Sequence, residues 1–238
     1  MAQVINTNVA ALFAGAALNK SAGALQTAQE RLSSGLRINS AKDDATGLQT
    51  ASNYDSKIRA ANQNIRKAND GISSAQINDG YLAQIQENTQ RLREIYIQTG
   101  AVTNQEATAM LAENARLDGL VTANTAVVVD EVSGTAGGYG STFTAATAFS
   151  NLAAFDTELT AIVAARAQQG ATINALSSAV ASLQTAVVNY SASYSRVMDT
   201  DYAAETAAQA KNNILQQAGT AVLAQANQNP QTVLTLLR

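Results

Sequence analysis

The chain has 238 residues, with 14% charged, 5% aromatic and a net charge of −3. It contains no histidine or cysteine, which excludes disulfides, thiolate chemistry, zinc–thiolate sites, Ser-His-Asp triads and the HExxH zinc motif. An apolar content of 46% argues against chain-wide disorder, and the weak negative charge against a nucleic-acid or anionic-membrane partner.

Residues 1–34 read as a helix whose thin seam, Ala11, Leu18, Leu25 and Leu32, recurs every seven residues among small residues (Ala14, Ala16, Ala22, Ala28). Lys20 is the only charge within residues 1–29, whereas a solvated single helix carries a charged face. Two readings follow: a core helix, or a segment loose in the monomer and buried only on assembly. The apolar run Ala10 to Leu18 is short for a membrane span, and no cationic stretch precedes it. The expectation is no membrane insertion and no cleavable signal peptide.

Ser33-Ser34-Gly35 is a break in which Gly35 suits a left-handed helix end. Asp43 and Asp44 read as capping and dipole-compensating residues of the next helix rather than metal ligands. Leu32 to Leu48, LSSGLRINSAKDDATGL, resembles the N-terminal signature of bacterial flagellins. Ile5-Asn6-Thr7-Asn8 and Glu30-Arg31 fit the same pattern.

From Gly47 to Gln98 a second heptad series appears: Tyr54, Ala61, Ala68, Ala75 and Leu82, interleaved with Ile58, Ile65 and Ile72. Its register drifts near Asp79-Gly80 and resumes through Ile85, Leu92 and Ile95, which predicts one long helix ending near Gly100. Asn69-Asp70-Gly71-Ile72-Ser73 also resembles the flagellin pattern, whereas Asn53-Tyr54-Asp55 departs from it. Gln90 to Ile95 resembles a segment contacted by a Toll-like innate immune receptor in some flagellins. By position, that resemblance implies contacts at Arg91 and Ile95, with Glu113 on the next helix. The alternative is a solvated face that packs against neighbouring subunits.

Residues 104–124 read as a shorter helix capped by Asn104, with Leu111, Leu117, Leu120 and Val121 as its apolar positions. Val127-Val128-Val129, a glycine-rich loop from Gly134 to Gly140, and Thr142-Phe143-Thr144 then predict a β-hairpin near 125–150. The loop lacks the lysine and the spacing of a phosphate cradle. Only about twenty-five residues separate the helical halves, too few for a separate outer domain.

Helix resumes at 151–170 through Leu152, Phe155, Leu159, Ile162 and Val163, and RAQQGATIN (166–174) resembles the flagellin entry to its long C-terminal helix. Next comes the clearest ladder in the chain: Ile173, Val180, Val187 and Tyr194 with Leu176, Leu183, Tyr190 and Val197. A strict 3.5-residue repeat marks a helix seated along a seam with other helices. Asp199 and Asp201 lack the glycine and closing glutamate of a calcium loop and read as a hinge and helix cap. Asn213 to Arg238, NILQQAGTAVLAQANQNPQTVLTLLR, resembles the flagellin C-terminus. Ala208, Leu215 and Val222 form one seam there, Lys211 is the only charge between Thr206 and Leu237, and Pro230 is expected to end the helix.

The expected fold is mainly α: an antiparallel long-helix coiled-coil rod with a small β-hairpin and paired terminal helices. The resemblance to flagellins implies that residues 1–44 with 199–238 form inner-tube helices, with 45–198 a helical rod domain. The resemblance implies a minimal flagellin, a filament homopolymer for motility, with a hook–filament junction protein as the alternative. It further implies extracellular export through the type III apparatus, an export chaperone, a filament cap protein and junction proteins as partners. Leu18, Leu25, Leu32, Ile214, Leu215, Val222, Leu236 and Leu237 are the candidate self-assembly residues. No catalytic residue, metal or cofactor is expected.

Overall fold

A computed structural model describes residues 7–123, 127–129, 136–138, 143–146 and 148–236, with side chains at 7–122, 143–146 and 148–228. Among them run five helices: α1 (Val9–Ser34), α2 (Ala45–Thr99), α3 (Gln105–Ala123), α4 (Leu152–Met198) and α5 (Tyr202–Leu236). Two three-residue strands, β1 (Val127–Val129) and β2 (Ala136–Gly138), pair antiparallel, Val128 opposite Gly137. The fold is mainly α, with long helices packed on one another. The hairpin expected to use Thr142-Phe143-Thr144 is not seen. Phe143 and Thr144 have no strand structure, while Thr142 lies outside the described residues. Phe143 is instead drawn into the helical core, at 8% exposure. The chain divides into two compact units, Met1–Asp55 with Ser191–Arg238, and Ser56–Tyr190.

In the terminal unit α1 and α5 lie antiparallel. Asn8 meets Ala226, Leu18 touches Gly219, and Arg31 pairs with Glu205 at 3.7 Å. Asn8 starts α1 by accepting the Ala11 N–H at its Oδ1 (3.1 Å), so the helix begins later than residue 1. Gly35 ends it at φ 72°, donating to the Arg31 carbonyl at 2.8 Å. α1 buries Ala14, Ser21 and Ala28, with Ala11, Leu18, Leu25 and Leu32 half-buried beside them.

The half-buried or buried face of α5 includes Gln209, Asn212, Gln216, Gly219, Leu223 and Ala226. The seam expected from Leu215 and Val222 is not that face: they are 46% and 54% exposed. α5 instead turns Gly219 and Ala226 inward, beside Leu223 and the amides of Gln209, Asn212 and Gln216. α5 also continues past Pro230 to Leu236 instead of ending there. Pro230 has no N–H for the carbonyl four residues back, at Ala226. That carbonyl accepts from Asn8 Nδ2 at 2.8 Å.

The same unit has a junction where residues 35–37 meet 197–200. Leu36 bridges Asp199, Arg37 N–H donates to the Met198 carbonyl (2.6 Å), and Thr200 N–H donates to the Gly35 carbonyl (3.0 Å). Ile38, Ala51 and Met198 are buried there beside Leu36, Leu48, Tyr194 and Val197. Asp44 caps α2, its Oδ1 accepting the Gly47 N–H at 2.9 Å, and a Cβ at Gly47 would strike that carboxylate and Ile38. Asp43 instead closes the preceding turn, its Oδ2 accepting from Asn39 and Ser40 N–H. These N–H donors hold both carboxyls below the usual range. Asp201 caps α5 through the Ala203 N–H, 2.9 Å.

In the unit Ser56–Tyr190, α2, α3 and α4 pack side by side. Leu82, Ile85, Leu117, Val121, Ile162 and Ala165 share one core with Phe143 and Ala145. Leu92, Ile95, Ala107, Phe149 and Phe155 share another, in which the two phenyl rings stack at 4.1 Å. Residues 57, 79 and 95 of α2 lie against 190, 166 and 155 of α4, so the two helices are antiparallel. Asn104 caps α3 through the Ala107 N–H, 2.9 Å. By length and composition α4 could cross a membrane, and its apolar window is mostly exposed, with Phe155 and Ile162 fully buried against α2 and α3.

Candidate self-assembly surface

The heptad pattern on α1 turns its smallest residues toward α5, and this leaves its larger ones outside. Val9, Leu12 and Phe13 are 64%, 66% and 78% exposed. On α5, Ile214 at 65% joins Leu215 and Val222. Phe13, Leu18, Leu215 and Val222 line an open apolar groove of about 700 Å³, floored by Ala14 and Gly219 and charged only at Lys20 and Lys211. Each such side chain gains roughly 1.5–3 kcal/mol on full burial, so covering this groove is favourable.

Of the residues singled out from sequence, Leu18, Leu25 and Leu32 are half-buried on α1, while Ile214, Leu215 and Val222 are exposed on α5. Leu236 ends α5 with its side chain outside the described set, and Leu237 lies outside it altogether. Sequence reasoning missed Val9, Leu12 and Phe13, because they fall off the seven-residue seam. Their large size within a nearly charge-free stretch was the available signal.

Arg91 is exposed and ion-paired to Glu94 (3.0 Å) and Glu106 (3.2 Å), which keep its guanidinium charged. Glu113 is held by Arg116 (2.7 Å), which lowers its carboxyl below the usual range. Ile95 is not at the surface with them. It is 3% exposed, inside the core with Leu92 and Phe155, because it continues the buried 85–92–95 spacing of α2. Among the described residues no three Asp or Glu side chains are placed to hold a metal. Two carboxylates serve the loop before α4: Glu158 accepts the Ala146 N–H at 2.9 Å, and Asp118 bonds the Ala145 backbone. Burial pushes both carboxyls up.

The bacterial flagellin N-terminal helical region matches residues 5–114, and the bacterial flagellin C-terminal helical region matches residues 152–237. Over 107 residues the chain is 53% identical to flagellins of Salmonella rubislaw and Salmonella typhimurium and 51% identical to that of Escherichia coli K12. That stretch is 45% of this chain but only 22% of each relative's length. Two helical regions of one structural-protein family thus occur here in order, with residues 115–151 between them, and the chain belongs to the bacterial flagellins.

Proposed function

We propose that this protein is a filament subunit, polymerising through its terminal helices into a bacterial flagellum that transmits motor torque for motility. The observation that carries the reading is the apolar surface of α1 and α5, which stays open to solvent after the two helices have paired. A second copy of this chain covers it by apolar contact, with Lys20 and Lys211 as its only charges to keep solvated. Leu18, Leu25, Leu32, Ile214, Leu215, Val222, Leu236 and Leu237 form the assembly set, joined by Val9, Leu12 and Phe13. Residues 1–44 with 199–238 form the inner tube of that filament.

Export through the flagellar type III apparatus, an export chaperone, a filament cap protein and hook–filament junction proteins belong to the same proposal. The receptor contact reduces to Arg91 and Glu113, since Ile95 is enclosed. No observation favours a junction protein over a filament subunit. The test is electron microscopy of purified protein before and after salting-out with ammonium sulfate. Long tubes from the full-length chain are expected, and none after removal of residues 1–30 or 208–238, with 54–197 still helical by circular dichroism. Normal filaments from either truncation would sink the assignment, and short oligomers that never elongate would favour a junction protein.

A further inference from the structure

The face that α1 turns to α5 is nearly repetitive. Ala14, Ser21 and Ala28 recur every seven residues and are all buried, so sliding α1 by seven residues replaces one small side chain by another. Packing of this kind specifies register weakly, and in helix pairs a single polar contact at the seam commonly sets it. The Arg31–Glu205 pair at 3.7 Å is partly exposed and too long to be selective.

We infer that Asn8 and Pro230 together act as a register lock for the terminal helix pair. Inside a helix each carbonyl already has a donor four residues on. The chain has one proline, so the Ala226 carbonyl is the one interior acceptor of α5 that the sequence itself leaves without a donor. Asn8 supplies that donor from Nδ2 at 2.8 Å, while its Oδ1 caps α1 through the Ala11 N–H. One primary amide therefore closes an orphan donor on α1 and an orphan acceptor on α5. Ala226 is 6% exposed, so water is a poor substitute for Asn8 there. A shift of either helix leaves the carbonyl bare, and this makes the observed register unique. Asn8 is a positioning residue: it decides which turn of α5 faces which turn of α1, and so where the groove between Phe13 and Val222 opens. Its consequence for filament growth rests on the filament reading above, whereas the register itself does not.

The native chain has no cysteine, so spin labels at Asn19→Cys and Gln217→Cys, both exposed, report the register of the full chain. Distances are measured by pulsed electron resonance in soluble protein and in ammonium-sulfate polymers diluted with unlabelled chain. One dominant distance is expected in the otherwise native chain. Asn8→Ser keeps a cap but is too short to reach Ala226, and should add a second, longer distance from chains whose helices have slid by about 10 Å, seven residues of helical rise. Pro230→Ala is the sharper variant. It returns an N–H to position 230 and improves the helix, yet it should also loosen the register, because Ala226 no longer needs Asn8. A merely structural role predicts the opposite. A native-like single distance in both variants overturns the lock, as does a native chain without a dominant distance in either state. Absence of polymers from the otherwise native chain would count against the filament reading alone, because the soluble distances still read the register.

Discussion

The core of Ser56–Tyr190 and the α1–α5 contact of the terminal unit bury opposite kinds of side chain. In Ser56–Tyr190 the large apolar residues are inside: Leu82, Ile85, Leu92, Phe155 and Ile162 are all fully buried. In the terminal unit the α1–α5 contact buries Ala14, Ser21, Ala28 and Ala226, while Phe13, Leu12 and Ile214 stay in water. The first unit encloses these large apolar side chains, whereas α1 and α5 keep several of theirs in water, where a neighbouring surface could cover them.

The comparison breaks most clearly at two phenylalanines. Phe155→Ala removes a ring stacked on Phe149 and tilted against Tyr96 at 5.6 Å. It should cost about 3–5 kcal/mol in denaturant unfolding. A loss under about 1 kcal/mol would mean that this unit has no tight core. Phe13→Ala should leave unfolding unchanged within about 0.5 kcal/mol. It should nevertheless raise the protein concentration needed for polymerisation about ten- to a hundredfold, the equivalent of burying one such side chain. Unchanged polymerisation, followed by light scattering, would remove Phe13 from the assembly surface.

A smaller effect sharpens the description of the terminal junction. Gly35→Ala places a side chain at φ 72°, with its Cβ 3.1 Å from the Tyr202 hydroxyl. It should destabilise this unit by about 1 kcal/mol, read as faster amide exchange around residues 35–37 and 198–200. Exchange at the wild-type rate would show that the left-handed cap carries no weight.

The smallest effect concerns pH, and its sign differs between the units. Asp118 and Glu158 have carboxyls raised by burial, so the folded state binds protons more tightly than the unfolded state does. Their unit should gain stability as pH falls from neutral through the raised values toward the ordinary carboxylate range. Asp43 and Asp44 are depressed by N–H donors. Their contribution is present above the ordinary range and lost as pH falls through the lowered values. Amide exchange reads the two units separately. Asp118→Asn with Glu158→Gln should make α3 more protected at neutral pH and flatten its acid-side gain, and an unchanged pH profile would show that burial at these carboxyls is not felt.

Much of this molecule is legible residue by residue. The heptads of α2 and the 173–197 ladder are buried or half-buried as their spacing requires, since a 3.5-residue repeat has one face whatever its partner is. Gly35, Asn104 and Asp201 cap where the chain places them, because capping is a local exchange of hydrogen bonds. What a repeat cannot state is which of two apolar or small faces wins when two helices meet. Periodicity placed Leu215 and Val222 in a seam, but α5 turned Gly219 and Ala226 inward instead. The spacing through Ile95 described a helix face without saying that α4 and its Phe155 would cover it. Pro230 read as a helix end because the donor that spares it, Asn8, lies 218 positions from Ala226 along the chain. Composition, caps and spacing determined the helices, and the resemblance of the terminal segments gave the family; tertiary contact alone decided which faces close, because only there does each exposed group meet or miss its partner.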